Sequence, residues 1–207
     1  DNTAFRMRAY GDRLYVVPGG RWAIENYRIG SIMIFEDDRW TNISSYTLNQ
    51  SFGLRPHDLM NVAQDPNDKE HYFVTSYCNG LLEMYGKEGV ALYTPDNSPL
   101  RSVVPHNPQR YTRTDGAMFD DQGYLWVLNT AAAAGTKNVH VIDTKGKSMK
   151  WHSFNLAYNG DTVVLHTPGE IMIDNRNPQW KWIPLCRYNE GLILLDDRGT
   201  PTNHADD

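Results

Sequence analysis

Two carboxylates and a glycine share one short turn, FDDQG at residues 119–123, just before an apolar run that contains Trp126. Paired acids in such a turn are candidates for calcium binding or for acid–base chemistry. A calcium loop needs several oxygen ligands at alternating positions. Glycoside cleavage needs two facing carboxyls about 5–9.5 Å apart. The turn is one copy of a recurring one: Asp65, Asp120 and Asp174 lie 55 and 54 residues apart, in the segments DPNDKE, DDQG and DNRNPQ. Only the aspartate persists, and the oxygen donors around it change from copy to copy. Asp and Asn favour turns because their side chains bond the nearby backbone. The repeated acid therefore reads as a hairpin corner, with no metal site.

Other residues recur in the same frame. His57, Thr112 and His166 each stand eight residues before a repeat aspartate. Two imidazoles at equivalent positions are metal-ligand types, but no third ligand repeats with them, so solvated or backbone-bonded histidines are expected. Tyr77 recurs as Tyr188, with amide and acid neighbours in Asn79, Asn189 and Glu190. An aromatic face flanked by amide and acid groups suits a sugar ring. The same tyrosines could instead cap a packing interface, and the sequence leaves both readings open. The ligand-binding candidates are thus Tyr77, Asn79, Tyr188, Asn189, Glu190, His57 and His166. The acids Asp58, Asp115 and Glu170 do not fall in register, so no catalytic residue is assigned and an enzyme is the remote alternative.

The elements that must position these groups are short strands. Leu/Val/Ile/Trp/Tyr segments of four to seven residues are cut by Gly, Pro, Asn and Asp, and about four such strands precede each repeat boundary. A strand repeat of roughly 40 to 55 residues marks a β-propeller, whose four-stranded blades bury their two apolar faces by stacking. The fold class is all-β, a propeller of about four four-stranded blades at approximately residues 4–44, 57–96, 113–155 and 169–203. The loops leading from second to third strand, and from one blade to the next, share one face, where His57, Tyr77 and their counterparts fall. The run Ala131–Ala134 is too short for a helix and reads as an enlarged loop, AAAAGTK, which is either a harmless insertion or an added contact. Cys78 and Cys186 lie two blades apart, so two free, buried thiols are expected.

With 16 glycines, 11 prolines and 12% aromatics, the composition suits strands and turns. A net charge of −5 without a Lys/Arg cluster would repel a phosphate backbone, so no nucleic-acid partner is expected. No apolar run approaches the roughly 20 residues of a membrane helix. The last copy stops before a clear fourth strand. These residues are accordingly expected to be part of a larger ring, such as a seven-bladed one, with self-association through open blade edges. A closed four-bladed ring is the alternative.

The segment F-D-x-x-G-x-L-W-V-x-N, Phe119 to Asn129, resembles the blade signature of two-component regulator propeller repeats. The second copy, A-x-D-P-x-x-x-x-H-Y-F-V-T-S-Y-x-x-G-L-L-E from Ala63, resembles the propeller of PorZ-type proteins of the type IX secretion system. So do Asp96-Asn97-Ser98-Pro99-Leu100 and the closing I-M-I-D-x-x-x-x-x-W-K-W-I and G-L-I-L-L-D-D. The resemblance spans residues 12 to 200. It implies a non-enzymatic, periplasmic or cell-surface part without cofactor, whose partner is a protein or a glycan such as lipopolysaccharide. A periplasmic sensor of a hybrid histidine kinase is the alternative. No catalytic residue carries over, because the matched positions are structural.

Overall fold

The computed structural model describes residues 3–205, apart from 22–23, 133–134, 147, 164 and 187–190. The chain forms four blades of a β-propeller. Blade 1 comprises β1 (Arg6–Tyr10), β2 (Arg13–Val17), β3 (Ile32–Glu36) and β4 (Arg39–Ile43). An unforeseen helix, α1 (Ser45–Phe52), leads to blade 2, made of β5 (Leu59–Asp65), β6 (Asp68–Ser76), β7 (Gly80–Tyr85) and β8 (Glu88–Tyr93). One turn of helix, α2 (Pro108–Tyr111), precedes blade 3: β9 (Thr114–Phe119), β10 (Tyr124–Asn129), β11 (Val139–Asp143) and β12 (Lys150–Phe154). A separate hairpin, β13 (Leu156–Tyr158) and β14 (Asp161–Val163), comes before blade 4. Among the described residues, blade 4 has three strands: β15 (Met172–Ile173), β16 (Trp180–Leu185) and β17 (Gly191–Asp196). Every blade is an antiparallel meander in chain order.

Alternation along the strands sends apolar side chains to both faces of each sheet, and the core consequently lies between blades. Tyr15, Val17, Ile32 and Ile34 of blade 1 meet Val62, Tyr72, Val74 and Leu82 of blade 2. Phe73 and Leu81 meet Leu125, Val127 and Ile142 at the next seam. Trp126, Val139 and Val141 meet Ile171, Ile183 and Leu195 at the third. No described cluster joins blade 4 back to blade 1. The outer face of blade 1 leaves Met7 61% and Trp40 54% exposed, and that of blade 4 leaves Leu192 58% and Leu194 44% exposed. Among the described residues, blades 1 and 4 thus each present a partly exposed apolar face.

The hairpin reading of the acidic turns holds, and the structure shows why the aspartate is the fixed residue. In each copy one carboxylate oxygen accepts backbone N–H bonds inside the turn: from Asn67 to Asp65 at 2.8 Å, Gln122 to Asp120 at 3.0 Å, and Arg176 to Asp174 at 2.8 Å. The other oxygen holds a ring nitrogen from the following strand. That partner is Trp126 Nε1 for Asp120 at 2.8 Å and Trp182 Nε1 for Asp174 at 3.1 Å. In blade 2 it is His71 Nδ1, at 3.1 Å from Asp65. The acid thus pins the turn to the sheet behind it.

α1 carries one fully buried side chain, Leu48, which joins the blade 1–blade 2 core. Ser44 caps its N-terminus by accepting from Thr47 N, and Gly53 ends it at φ 70°. Phe52 lies over Gly89, where an added Cβ would stand 2.2 Å from the ring. Both cysteines are free, as expected; Cys78 is buried and Cys186 only half-buried.

Replacing Trp126 with Phe removes the indole N–H from the buried Asp120 carboxylate. A loss of about 1–3 kcal/mol is expected, read as a lower urea midpoint at unchanged slope. Trp182→Phe, whose Asp174 partner is more exposed, should lower the midpoint less. Equal effects would refute the pin as a buried interaction.

Candidate functional site

The loop face is built around Asp58. This residue takes a left-handed conformation, φ 51°, at the start of blade 2. Its carboxylate accepts the backbone N–H groups of Tyr27 at 2.9 Å and Arg28 at 2.7 Å, and the Cys78 thiol donates to it at 3.1 Å. It thereby fastens the long β2–β3 loop of blade 1 to the β6–β7 loop of blade 2. Gly20, at φ 138°, lies directly against it, and a Cβ there would sit 1.8 Å from Asp58 Oδ1. Burial pushes the Asp58 carboxyl up, against its three donors. Burial and the neighbouring Asp58 also push the Cys78 thiol far up, which disfavours the thiolate form.

Several expected ligand-binding residues sit on this frame. Asn79 is buried and bonded at both ends of its amide, accepting from His57 N at 2.8 Å and donating to Gln109 O at 2.7 Å. The half-buried His57 ring stands edge-on to Tyr27 with centroids 6.5 Å apart. Tyr77 is 4% exposed, its ring between the guanidiniums of Arg21 at 5.5 Å and Arg113 at 4.6 Å. It occupies the packing position that the sequence left open, while its edge belongs to a larger cationic and aromatic face. Arg113 also lies over Tyr111 at 5.6 Å, the Tyr111 hydroxyl meets that of Tyr27 at 3.2 Å, and Arg110 lies over Tyr27 at 5.7 Å. Tyr27, Arg55, His57, Asn79, Gln109 and Arg110 line a cavity of about 220 Å³. Tyr188, Asn189 and Glu190 lie outside the described residues, as do 133–134 of the enlarged loop.

The register of His57, Thr112 and His166 has a backbone cause. Gly80 N donates to Thr112 O at 2.8 Å, Ala131 N donates to His166 O at 2.9 Å, and Ile29 bridges His57. These positions stitch each blade's loop to the next blade. The His166 side chain is exposed, and no contact joins it to His57. Among the described residues, no group of three His, Cys, Asp or Glu side chains could hold a metal ion.

Towards the axis, Asp115 is fully buried between Arg21 and Arg6, the latter at 3.1 Å. Burial pushes this carboxyl up, and the charges of Arg21 and Arg6 oppose the push. Glu170 pairs with Arg8 and lies 3.7 Å from Arg6. The three acids considered for glycoside cleavage are therefore committed, Asp58 to amides and a thiol, Asp115 and Glu170 to guanidiniums. Sequence reasoning missed Arg21, Tyr27 and Arg110 because they lie in loops that do not repeat; Arg113 follows Thr112 in the repeated register, but its residue type is not shared with the other copies. The Pro108-Gln109-Arg110-Tyr111 stretch, with proline at a helix start, was the available signal.

Stacked four-stranded blades with a small, cation-lined cavity on the loop face define the chain as a β-propeller. No family model and no curated protein matches the chain. Among solved structures, it is similar to PorZ, described as an essential bacterial surface component of the type-IX secretion system of Porphyromonas gingivalis. The identity is 28% over 100% of this chain, with a TM-score of 0.80. The chain spans only 27% of that protein's length. The calcium-binding protein regucalcin from Agrobacterium tumefaciens shares the fold at 12% identity and a TM-score of 0.54, covering 96% of this chain and 57% of that one. Luciferin-regenerating enzyme does so at 11% and 0.52, covering 90% and 55%. The resemblance read from the repeat motifs is therefore upheld, and the fold by itself does not decide catalysis.

Asp115→Ala removes the buried carboxylate that Arg21 and Arg6 share and should cost about 3–5 kcal/mol in chemical denaturation. Arg113→Gln, which breaks stacking at the rim, should cost far less. A mild Asp115 variant would refute the axial ion pair as a structural tie.

Proposed function

We propose that this chain is a non-catalytic, extracytoplasmic binding propeller that holds a protein partner or a surface glycan on its loop face. The observation that carries the reading is the run Arg110–Tyr27–Tyr111–Arg113–Tyr77, which sets guanidiniums on aromatic rings and whose first two members line the cavity. Such a surface recognises ligands by stacking and by charge-assisted hydrogen bonds. Tyr188, Asn189 and Glu190, which match the Tyr77 loop in the repeat, are proposed as further ligand-binding residues. The similarity to a bacterial surface component supports a place outside the cytoplasm, and no helix is long and apolar enough to cross a membrane. The open faces of blades 1 and 4 support an arc within a larger ring of the PorZ type. The blade signature at Phe119–Asn129 also fits a sensor propeller of a hybrid histidine kinase, and the module encoded downstream would discriminate.

Calorimetric titration with purified bacterial lipopolysaccharide polysaccharide should show binding without turnover. Arg110→Gln or Tyr27→Ala should weaken it by about tenfold. Release of shortened glycan would overturn the non-catalytic reading, and unchanged affinity in both variants would move the site elsewhere. An intact mass of the natural product well above 23.7 kDa would support the larger ring, and an equal mass would count against it.

A further inference from the structure

Blade 2 departs from its neighbours at one chemically decisive place. In blades 3 and 4 the turn aspartate receives an indole N–H, a donor that never changes protonation. In blade 2 the partner is His71, and its second nitrogen is also occupied: Nε2 lies 2.9 Å from Glu83 Oε1. Glu83 Oε2 in turn accepts from the Tyr93 hydroxyl at 2.7 Å. The Tyr93 ring packs on Trp151 of blade 3, with centroids 5.6 Å apart. A chain of contacts thus runs from the turn of β5, through β6 and β7, to β8 and across the seam.

A neutral imidazole has one donor and one acceptor nitrogen, whereas a carboxylate only accepts. With a carboxylate oxygen at each nitrogen, the neutral ring must set a lone pair against an anion, and only the imidazolium satisfies both contacts. We propose that His71 is a pH-responsive latch: protonated, it ties Asp65 to Glu83 and steadies the blade 2–blade 3 seam, and on losing its proton it releases Glu83 and Tyr93. The titratable groups that face it are Asp65 from β5, Glu83 and the flanking Tyr85 from β7, and Tyr93 from β8 through Glu83; Phe73 and Phe119 supply the apolar wall. The side chains of His71, Asp65 and Glu83 are 14–17% exposed, so solvent screens the latch only in part.

The bond to Glu83 raises the His71 proton affinity, burial opposes it, and the bond to Asp65 adds to the rise. The stabilisation is therefore complete below the unfolded-state value, about pH 6.5, and is lost as pH climbs through the higher folded-state value. His140, whose imidazole lies edge-on to Trp151, is pushed down to about 3 by burial and stays silent in this window. Each unit by which the His71 titration is raised corresponds to about a tenfold stronger hold by the protonated form.

The test is a titration of the 207-residue chain from about pH 5.5 to about pH 8.5, following imidazole resonances by NMR together with Trp151 indole signals and thermal melting. The His71 ring should titrate above about 6.5, the Trp151 signal should change with it, and the melting temperature should fall as the proton leaves. Glu83→Gln should move the ring's titration downward, and His71→Gln should remove that pH dependence of melting. A wild-type ring that titrates at or below the ordinary value, or a Trp151 signal that stays flat through its titration, overturns the proposal even if His71→Gln fails to fold. A folded His71→Gln protein with the wild-type pH dependence overturns it too.

Discussion

A β-sheet four strands wide, apolar on both faces, cannot be stable alone, and this constraint organises the whole molecule. Three seams bury Tyr15, Phe73, Trp126 and their partners almost completely. Burying a side chain of that size contributes about 1.5–3 kcal/mol, so each blade depends on its neighbours more than on its own hydrogen bonds. The loops at the blade ends are then free to vary. The candidate face is accordingly built largely from residues that differ from copy to copy, on a scaffold that repeats.

Two kinds of polar fastening locate the seams. One is local, the turn aspartate that ties its hairpin to a ring nitrogen on the next strand. The other crosses blades: Asp58 reaches from blade 2 to the blade 1 loop, Asp115 takes guanidiniums from blade 1, and Lys181 of blade 4 lies over Trp126 while pairing with Asp197. Buried charges are costly when unpaired. A wrongly stacked blade would strand at least one of them, so these pairs act on the order of the blades as well as on their stability.

The strands and the blade repeat were legible because period-two alternation and the recurring Asp-turn are imposed on every copy by the same geometry. The helix α1 was not. Its eight residues bury only Leu48, leaving no apolar stripe to read; the legible signs were its ends, Ser44 and Gly53. In the candidate site, Tyr77, Asn79 and His57 could be found by register, and the structure explains that register through backbone stitches between blades. Arg21, Tyr27 and Arg110 could not be placed, because long-range packing brings non-repeating loops together. The partner of each repeat aspartate was equally hidden, since a histidine in one copy and tryptophans in two others look unrelated until their nitrogens are seen in one position.

Gly20 illustrates how such a fold distributes control. It has no side chain to offer a ligand, yet any substituent there would collide with Asp58 and unfasten the backbone that carries Tyr27. A genetic screen for lost recognition would score this glycine beside the contact residues themselves. Sensitivity to mutation on this face therefore maps the hinges of the loop as much as the footprint of whatever rests upon it.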